Sequence, residues 1–332
     1  MLIKSLLTLQ KIIFKSVKMN FAKKNVIFSL KNTSFVFLCV SFFLISCHNS
    51  FFKPDFSKNM FMEIKVAAVS FVPKKFDVDY NADKLEKMFR KAAEKDIQLA
   101  LATEGVIEGY VAYDITQGKY PPEKMREVTQ PIDSPIIKRF QKLARELNIC
   151  LAFGFAELIG SDVYNCAIFI DNKGKIRGKY HKMRFAEGYH RSWWYNRLGK
   201  KSRAFNTPFG RGAFLICNDR WQPELARIPV LDGAQFLMIL AYGSTNPDQD
   251  KAVLARAREN GVPIVEANVG VSMIISKGEI VEVARQQEGI IFGTIEIPTV
   301  KSTANRDAVE KSYLKWRKKA MKDRYDARHK KK

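Results

Sequence analysis

Apolar residues recur with the periods of strands and helices from residue 62 to residue 300 of this chain. Alternating apolar and polar residues in Glu63–Ser70 predict a β-strand, whereas apolar residues every three or four positions in Pro135–Leu147 predict an amphipathic helix. Further predicted helices are Asn81–Lys95, Pro223–Asp232 and Asp248–Asn260. Further predicted strands are Gln98–Thr103, Ile149–Glu157, Tyr164–Asp171, Lys175–Tyr180, Gly212–Cys217, Gln235–Ala241, Pro263–Asn268, Ser272–Ser276, Glu279–Ala284 and Ile290–Ile297. Strands interspersed with helices predict one α/β domain at 62–300, with its helices packed outside.

The last segment of the chain, residues 301–332, is predicted to be a basic tail. Asp307–Lys332 has a helical composition with one apolar side. That side consists of Val309, Tyr313, Trp316 and Met321. The pattern fits a helix that packs on a partner subunit, and it equally fits a frayed and solvated tail.

The formal net charge of +22 is concentrated at the two ends of the chain. Residues 1–62 carry nine Lys and one Asp, and residues 301–332 carry thirteen basic and four acidic residues, which leaves a net +5 for the 238 residues between them. Basic ends beside a membrane or another anionic surface explain this distribution more simply than a nucleic-acid groove. Since no finger, basic zipper or aromatic–basic RNA signature accompanies the charge, we do not expect nucleic acid as a partner.

The N-terminus resembles a bacterial lipoprotein signal peptide. An apolar run at Ser34–Ser46 follows several lysines and is shorter than the about 20 residues of a membrane-spanning helix. It ends in Leu44-Ile45-Ser46-Cys47, which is similar to a lipobox, although an apolar segment that merely ends in cysteine remains the alternative. The resemblance implies a signal peptide at 1–46, lipidation of Cys47, a tether at 47–61, and a membrane-anchored protein facing the periplasm or the cell exterior. Met19 is a plausible true start.

Three cysteines lie in the body of the chain, an odd number that leaves at least one thiol unpaired. Cys150 and Cys166 lie in apolar, strand-like runs, where free cysteine behaves as a small buried hydrophobe. Cys217 instead ends a predicted strand and is followed by Pro223 at the start of a predicted helix. At such a turn, backbone N–H groups can receive an oxyanion, and the helix N-terminus is expected to lower the pKa of the thiol.

Two charged residues also follow predicted strands. Glu104 comes after the small and apolar residues Leu99–Thr103 and is suited to take a proton from a thiol. Lys182 follows the strand that ends at Tyr180, and a single ammonium can stabilise a tetrahedral oxyanion. Each residue by itself is weak evidence, because loop acids and basic stretches are common on protein surfaces.

Together, Glu104, Lys182 and Cys217 resemble the nitrilase superfamily of carbon–nitrogen hydrolases, in residue type, in chain order and in their positions at strand ends. The resemblance covers residues 63–298, nearly the whole body. Its most specific part is Cys217-Asn-Asp-Arg-Trp-Gln-Pro-Glu224, which is similar to the family's Cys-Tyr-Asp-x-Arg-Phe-Pro-Glu. The other matching segments are Glu104-Gly-Val-Ile-Glu-Gly-Tyr110, Tyr164-Asn-Cys-Ala167 and Gly178-Lys-Tyr-His-Lys182.

The resemblance also implies a second glutamate after the lysine, for which Glu187 occupies a comparable place. The chain departs from the family pattern at Thr103, where proline is usual, at Arg184, where histidine is frequent, and in the spacing of Arg220-Trp221. The aromatic and basic insertion Arg191–Arg203 is expected to shape either the substrate pocket or an oligomer contact.

The family resemblance implies a four-layer α-β-β-α sandwich that forms homodimers or higher homo-oligomers, and a mechanism without metal or cofactor. Cys217 would attack an amide, carbamoyl or nitrile carbon, Glu104 would be the general base, and Lys182, with a turn N–H beside Asn218, would hold the oxyanion. The acyl group would pass through a thioester and leave as an acid, with ammonia or an amine as the other product.

Other classes of protein fit less well. The chain has no Gly-x-Ser-x-Gly elbow of a serine hydrolase, and neither His181 nor His190 lies in a zinc-ligand motif. An acyltransferase on the same scaffold remains open, as does a non-catalytic lipoprotein that binds a ligand. The presence of Glu104, Lys182 and Cys217 together favours the hydrolase.

Overall fold

The computed structural model describes residues 61–243, 245–299 and 305–329. The predicted signal peptide, Cys47 and the tether up to residue 60 lie outside the described residues, as do residue 300 of the domain and residues 301–304 and 330–332 of the tail. Within the described ranges, no helix combines the length and the apolar content needed to cross a bilayer.

Two six-stranded sheets form the centre of the domain. The first has the order β12-β1-β2-β3-β4-β5, in which parallel β1, β2 and β3 are flanked by antiparallel neighbours. Its strands are β1 (Phe61–Ser70), β2 (Leu99–Leu101), β3 (Cys150–Ile159), β4 (Asp162–Ile170), β5 (Ile176–His181) and β12 (Gly289–Pro298).

The second sheet has the order β11-β10-β9-β8-β7-β6, and its central strands β7, β8 and β9 are parallel. Its strands are β6 (Phe205–Thr207), β7 (Gly210–Ile216), β8 (Phe236–Tyr242), β9 (Ile264–Val269), β10 (Ser272–Ser276) and β11 (Glu279–Ala284). Both sheets are therefore mixed, as helical crossovers and hairpins in one chain require.

Helices cover the outer faces of the two sheets. Ile64, Val66 and Ala68 of β1 pack in the core shared with the second sheet, whereas Ala67 and Val69 pack toward the outer helices. Two opposite buried faces explain why the alternation at the start of the strand gives way to the continuous apolar run Val66–Val69. The helices are α1 (Val78–Ala93), α2 (Val111–Thr116), α3 (Pro135–Leu147), α4 (Pro223–Leu231), α5 (Pro247–Asn260) and α6 (Arg306–His329), with 3₁₀ turns at Pro122–Glu127 and Cys217–Trp221. The predicted α/β sandwich of two sheets between helices is confirmed.

Secondary structure follows the sequence pattern closely, and the exceptions are short. The prediction for α3 is confirmed at both ends, because Ser134 caps its first turn and Asn148 ends it in the left-handed region. The short elements α2, Pro122–Glu127 and β6 were not predicted. They are helices of six residues and a strand of three residues, too few for a hydrophobic period to show.

The last helix, α6, packs on the domain that precedes it. Tyr313 and Met321 are buried, and the Tyr313 hydroxyl donates to the carbonyl of Met183 at 3.3 Å. Arg324 Nε donates to the carbonyl of Ala186 at 2.5 Å. These contacts fall on the segment that follows β5, so the described part of the tail is neither frayed nor fully solvated.

Candidate active site

Glu104 lies three residues beyond β2 and is completely buried. Its Oε1 accepts hydrogen bonds from Lys182 Nζ at 2.6 Å and from Asn165 Nδ2 at 2.7 Å. Its Oε2 has no hydrogen-bond partner among the described residues. One oxygen is therefore fixed, and the other is available to accept a proton.

The backbone around Glu104 depends on a glycine of the neighbouring strand. A Cβ on Gly154 in β3 would lie 2.7 Å from the nitrogen of Gly105 and 2.9 Å from Cα of Glu104. Gly154 also donates to the carbonyl of Thr103 at 3.1 Å. Only glycine allows the two chains to approach this closely. Gly154 lies in a predicted strand and carries no chemistry, so sequence reasoning missed its role.

Lys182 follows β5 directly and is 1% exposed. Its backbone N–H donates to the carbonyl of Asn165 in β4 at 2.9 Å, and its Nζ lies 5.6 Å from the ring centroid of Tyr110. Burial by itself would favour a neutral amine, but the charges of Glu104, Cys217 and Glu187 outweigh it and raise the pKa of Lys182. The ammonium is therefore a permanent positive charge inside the protein.

Cys217 is the first residue after β7 and begins the 3₁₀ turn Cys217–Trp221. Its φ of 46° lies in the left-handed region, which a non-glycine residue adopts only where the surroundings impose it. Unlike Cys150 and Cys166, which are buried, Cys217 is partly exposed. All three are free thiols, as expected for the first two.

The pKa of the Cys217 thiol is raised, which corrects the expectation that the helix N-terminus lowers it. Burial is the largest cause, and the charge of Glu104 raises the pKa further. Lys182, Arg220 and the backbone N–H of Tyr242 act in the opposite direction. The thiol is therefore mostly protonated at neutral pH, and an adjacent base is needed to ionise it.

Asp219 joins the ends of the two sheets. Its carboxylate accepts hydrogen bonds from the Tyr180 hydroxyl at 2.8 Å, from the Arg184 backbone at 2.8 Å and from the Ile216 backbone at 2.9 Å. The first two donors lie in or just after β5, and the third ends β7. This one side chain thus holds the Lys182 and Cys217 segments together, a function that the sequence motif did not reveal.

Arg220 contacts the thiol from within the protein. It is 1% exposed, its Nη2 lies 3.6 Å from Cys217 Sγ, and its Nε donates to the carbonyl of Cys217 at 2.8 Å. The same guanidinium forms an ion pair with Glu266 of β9, which is also buried. Burial raises the pKa of Glu266 to about 7, and the charge of Arg220 opposes that rise. The only sign of this contact in the sequence was that Arg220-Trp221 departs from the spacing usual in the family motif.

Glu187 lies near the other charged groups without touching them directly. It is 2% exposed, and its Oε1 accepts from Asn196 Nδ2 at 2.6 Å. Burial raises the pKa of Glu187, and the charge of Lys182 opposes that rise. Asn196 belongs to the Arg191–Arg203 insertion, so this segment supports a residue of the site.

Asn218 is 5% exposed, and its Nδ2 has no hydrogen-bond partner among the described residues. It directly follows Cys217 in the chain and belongs to the same 3₁₀ turn. The structure thus brings Glu104, Lys182, Cys217, Glu187 and Asn218 into one cluster. The cluster combines a thiol, a buried carboxylate with a free oxygen and a fixed ammonium, the groups needed for acyl transfer through sulfur.

A separate group with metal-binding side chains lies on the opposite face of the first sheet. Ligand atoms of Glu157, Cys166 and His181 are within 4.8 Å of one another. Since side chains alternate along a strand, Cys166 and His181 point away from their neighbours at the cluster. Lys179 Nζ already pairs with Glu157 at 2.7 Å, so the carboxylate has a cationic partner and no ion is required.

Comparison with known proteins identifies the family of the chain. The family model described as carbon–nitrogen hydrolase matches residues 65–305. A probable nitrilase of Schizosaccharomyces pombe is 28% identical over 261 residues, which cover 72% of this chain and 91% of that protein. An N-carbamoylputrescine amidase of Oryza sativa is 28% identical over 277 residues, covering 73% and 88% of the two chains. A citrullinase of Francisella tularensis is 30% identical over 200 residues, covering 57% and 68%.

Solved structures show the same fold. An amidase from Nesterenkonia sp. superposes with a TM-score of 0.60 at 19% identity, over 76% of this chain and 96% of that chain. The family match covers most of the chain, and the two sheets with flanking helices agree with it. The chain therefore belongs to the carbon–nitrogen hydrolase family and is an enzyme of the nitrilase superfamily.

Proposed function

We propose that this enzyme hydrolyses the carbon–nitrogen bond of a small amide or carbamoyl compound, with Cys217 as nucleophile. The observation that carries the proposal is the buried 2.6 Å contact between Lys182 Nζ and Glu104 Oε1 beside a partly exposed thiol. A buried ion pair is costly to maintain and is weak evidence for stability, so its position beside the thiol points to chemistry.

The first half of the proposed reaction forms an acyl-enzyme. The free oxygen of Glu104 takes the thiol proton as Cys217 Sγ attacks the carbonyl carbon. The ammonium of Lys182 and an N–H of the Cys217–Trp221 turn stabilise the negative charge on the carbonyl oxygen. When the tetrahedral intermediate collapses, the C–N bond breaks and the proton on Glu104 passes to the leaving nitrogen.

The second half releases the product. Glu104 takes a proton from water, whose oxygen attacks the thioester, and Lys182 again holds the oxyanion. Collapse breaks the C–S bond, and the proton returns from Glu104 to the thiolate. A carbamoyl substrate would pass through a thiocarbamate in the same way. Glu187, which acts on Lys182 through its charge, keeps that ammonium in place.

The relatives named as N-carbamoylputrescine amidase and citrullinase support the inclusion of carbamoyl compounds among the candidate substrates. The test measures ammonia release from simple amides, nitriles, citrulline and N-carbamoylputrescine by wild type and Cys217→Ala. We expect release by wild type alone. Equal inactivity of both proteins across the whole panel would refute hydrolysis.

We also propose that the protein is anchored at the bacterial cell envelope through a lipid on Cys47. The support is the sequence Leu44-Ile45-Ser46-Cys47 after a basic and apolar stretch. Metabolic labelling with a fatty acid should mark wild type but not Cys47→Ser. An unlabelled wild type with an intact N-terminus would contradict the anchor.

A further inference from the structure

A cleft of about 470 Å³ lies between α6 and the segment after β5. Its charged lining consists of Asp162, Arg197, Lys200, Arg317 and Lys318. None of the proposed catalytic residues lines it, so it is separate from the reaction site. Its volume is that of a site for a small molecule, well above that of a single ion.

The positive charge of the cleft is largely unneutralised. Asp162 pairs with Arg197, since the Oδ1–Nε distance is 3.1 Å. Lys200 and Lys318 are exposed and form no ion pair within the described part of the chain. Three of the four cations around the cleft therefore have no carboxylate partner among the described residues.

Arg317 is the most buried of these three cations. Its Nη1 donates to the carbonyls of Gly199 at 2.6 Å and Met183 at 3.5 Å, and no carboxylate among the described residues lies within ion-pair distance. Burial lowers the pKa of Arg317, which shows that the surroundings do not repay the cost of burying its charge. An anion in the cleft would supply that compensation.

Besides the cations, the lining of the cleft includes hydroxyl and apolar groups. The Tyr189 hydroxyl accepts from Arg197 Nη1 at 3.3 Å, so it is held in place at the wall. Leu198, Leu314 and Met321 provide apolar surface. A ligand with a charged head and a less polar body fits this lining better than a free halide or a bare cation.

We propose that this cleft binds the phosphate group of a small phosphorylated compound or of an anionic lipid headgroup, through Lys200, Arg317 and Lys318. A phosphate carries up to two negative charges and several acceptor oxygens, which match two ammonium groups and a planar guanidinium. The remaining volume accommodates the group esterified to the phosphate. Free compound and lipid headgroup share this chemistry and are distinguished by experiment.

The cleft is also connected to the catalytic lysine. Gly199, whose carbonyl accepts from Arg317, donates its own N–H to the carbonyl of Lys182 at 2.8 Å. A Cβ on Gly199 would lie 2.0 Å from the carbonyl oxygen of His181, so this segment is pressed against the end of β5. Gly199 thus hydrogen-bonds both to Arg317 of the cleft and to the backbone of Lys182.

The test uses the full chain and two double variants of equal charge change. Lys200→Gln/Lys318→Gln removes two cations of the cleft, and Lys87→Gln/Lys91→Gln removes two exposed lysines of α1. Titration calorimetry at constant ionic strength measures binding of inorganic phosphate and of glycerol 3-phosphate. Sedimentation with phosphatidylcholine vesicles, with and without phosphatidylglycerol, measures lipid binding.

We expect the cleft variant to weaken binding at least about tenfold and the α1 variant to leave it unchanged. A difference with the soluble phosphates assigns the cleft to a free compound, and a difference with phosphatidylglycerol vesicles alone assigns it to a lipid headgroup. If neither probe separates the cleft variant from the α1 variant, the cleft is not a phosphate site.

Discussion

Arg220 Nη2 lies 3.6 Å from Cys217 Sγ, and the guanidinium that makes this contact is ion-paired with buried Glu266. The Arg220 guanidinium therefore places a positive charge against the thiol, while the carboxylate of Glu266 balances that charge. Gln249 Nε2 is a second donor to Glu266 Oε1, at 3.3 Å. A cation held in this way favours the thiolate without attracting solvent into the site.

Arg220→Met should lower the free energy of unfolding by about 3–5 kcal/mol, because it leaves Glu266 buried and unpaired. The double variant Arg220→Met/Glu266→Gln should recover most of this loss but not the rate of ammonia release. Chemical denaturation and the ammonia assay measure the two effects. Recovery of activity together with stability would mean that Arg220 acts only as a structural residue.

The ionisation of Cys217 should respond to its charged neighbours in opposite directions. Glu104→Gln removes a charge that raises the pKa of the thiol, so that pKa should fall. Lys182→Met removes a charge that lowers it, so the pKa should rise. The pH dependence of iodoacetamide alkylation, followed by mass spectrometry of the Cys217 peptide, measures both shifts.

In the same alkylation experiment, buried Cys150 provides the internal control, because its pKa is raised by burial and not by the cluster. Shifts of the same sign in both variants would show that Glu104 and Lys182 do not act on the thiol as charges.

Gly154→Ala should reduce kcat/KM by about 100-fold, because the added Cβ would collide with the backbone of Gly105 and Glu104 and displace the carboxylate. Gly289→Ala is the matched control. The nearest atom to its Cβ is the flexible end of Gln286, which can move away. Unchanged kinetics of a folded Gly154→Ala protein would contradict the requirement for this close approach.

Stability should depend on pH through Glu108. Its carboxylate is 4% exposed and accepts from the Ala156 backbone at 3.0 Å, and burial raises its pKa from 4.5 to about 7. Between pH 4.5 and about pH 7, Glu108 therefore binds a proton in the folded state but not in the unfolded state. The contribution of Glu108 to the free energy of unfolding therefore grows as the pH falls from about 7 toward 4.5 and is constant below that.

Urea denaturation of wild type and Glu108→Gln between pH 4 and pH 8 measures this contribution. The stability of wild type relative to the variant should rise with acidification by up to about 3 kcal/mol. A pH-independent difference between the two proteins would show that Glu108 keeps one protonation state throughout.

The strands and helices of the body could be read from the sequence because long elements with one or two buried faces impose a period on it. Both ends of α3 were predicted, whereas α2 and β6 were missed because they are too short to show a period. The positions of Glu104 and Cys217 were also visible, since each ends an apolar run, whereas Lys182 lies in a basic stretch and was recognised only through the family motif.

Only the tertiary structure decided how these residues act on one another. Which oxygen of Glu104 is free, and how Asp219 joins the two sheets, depend on contacts between segments far apart in the chain. Arg220 is only three residues from Cys217, but the ion pair that holds its guanidinium is made with Glu266 of β9. The direction of the pKa shift at Cys217 shows the reason. Local sequence indicated only a helix N-terminus, which favours the thiolate, but burial by the rest of the fold is the larger effect and raises the pKa.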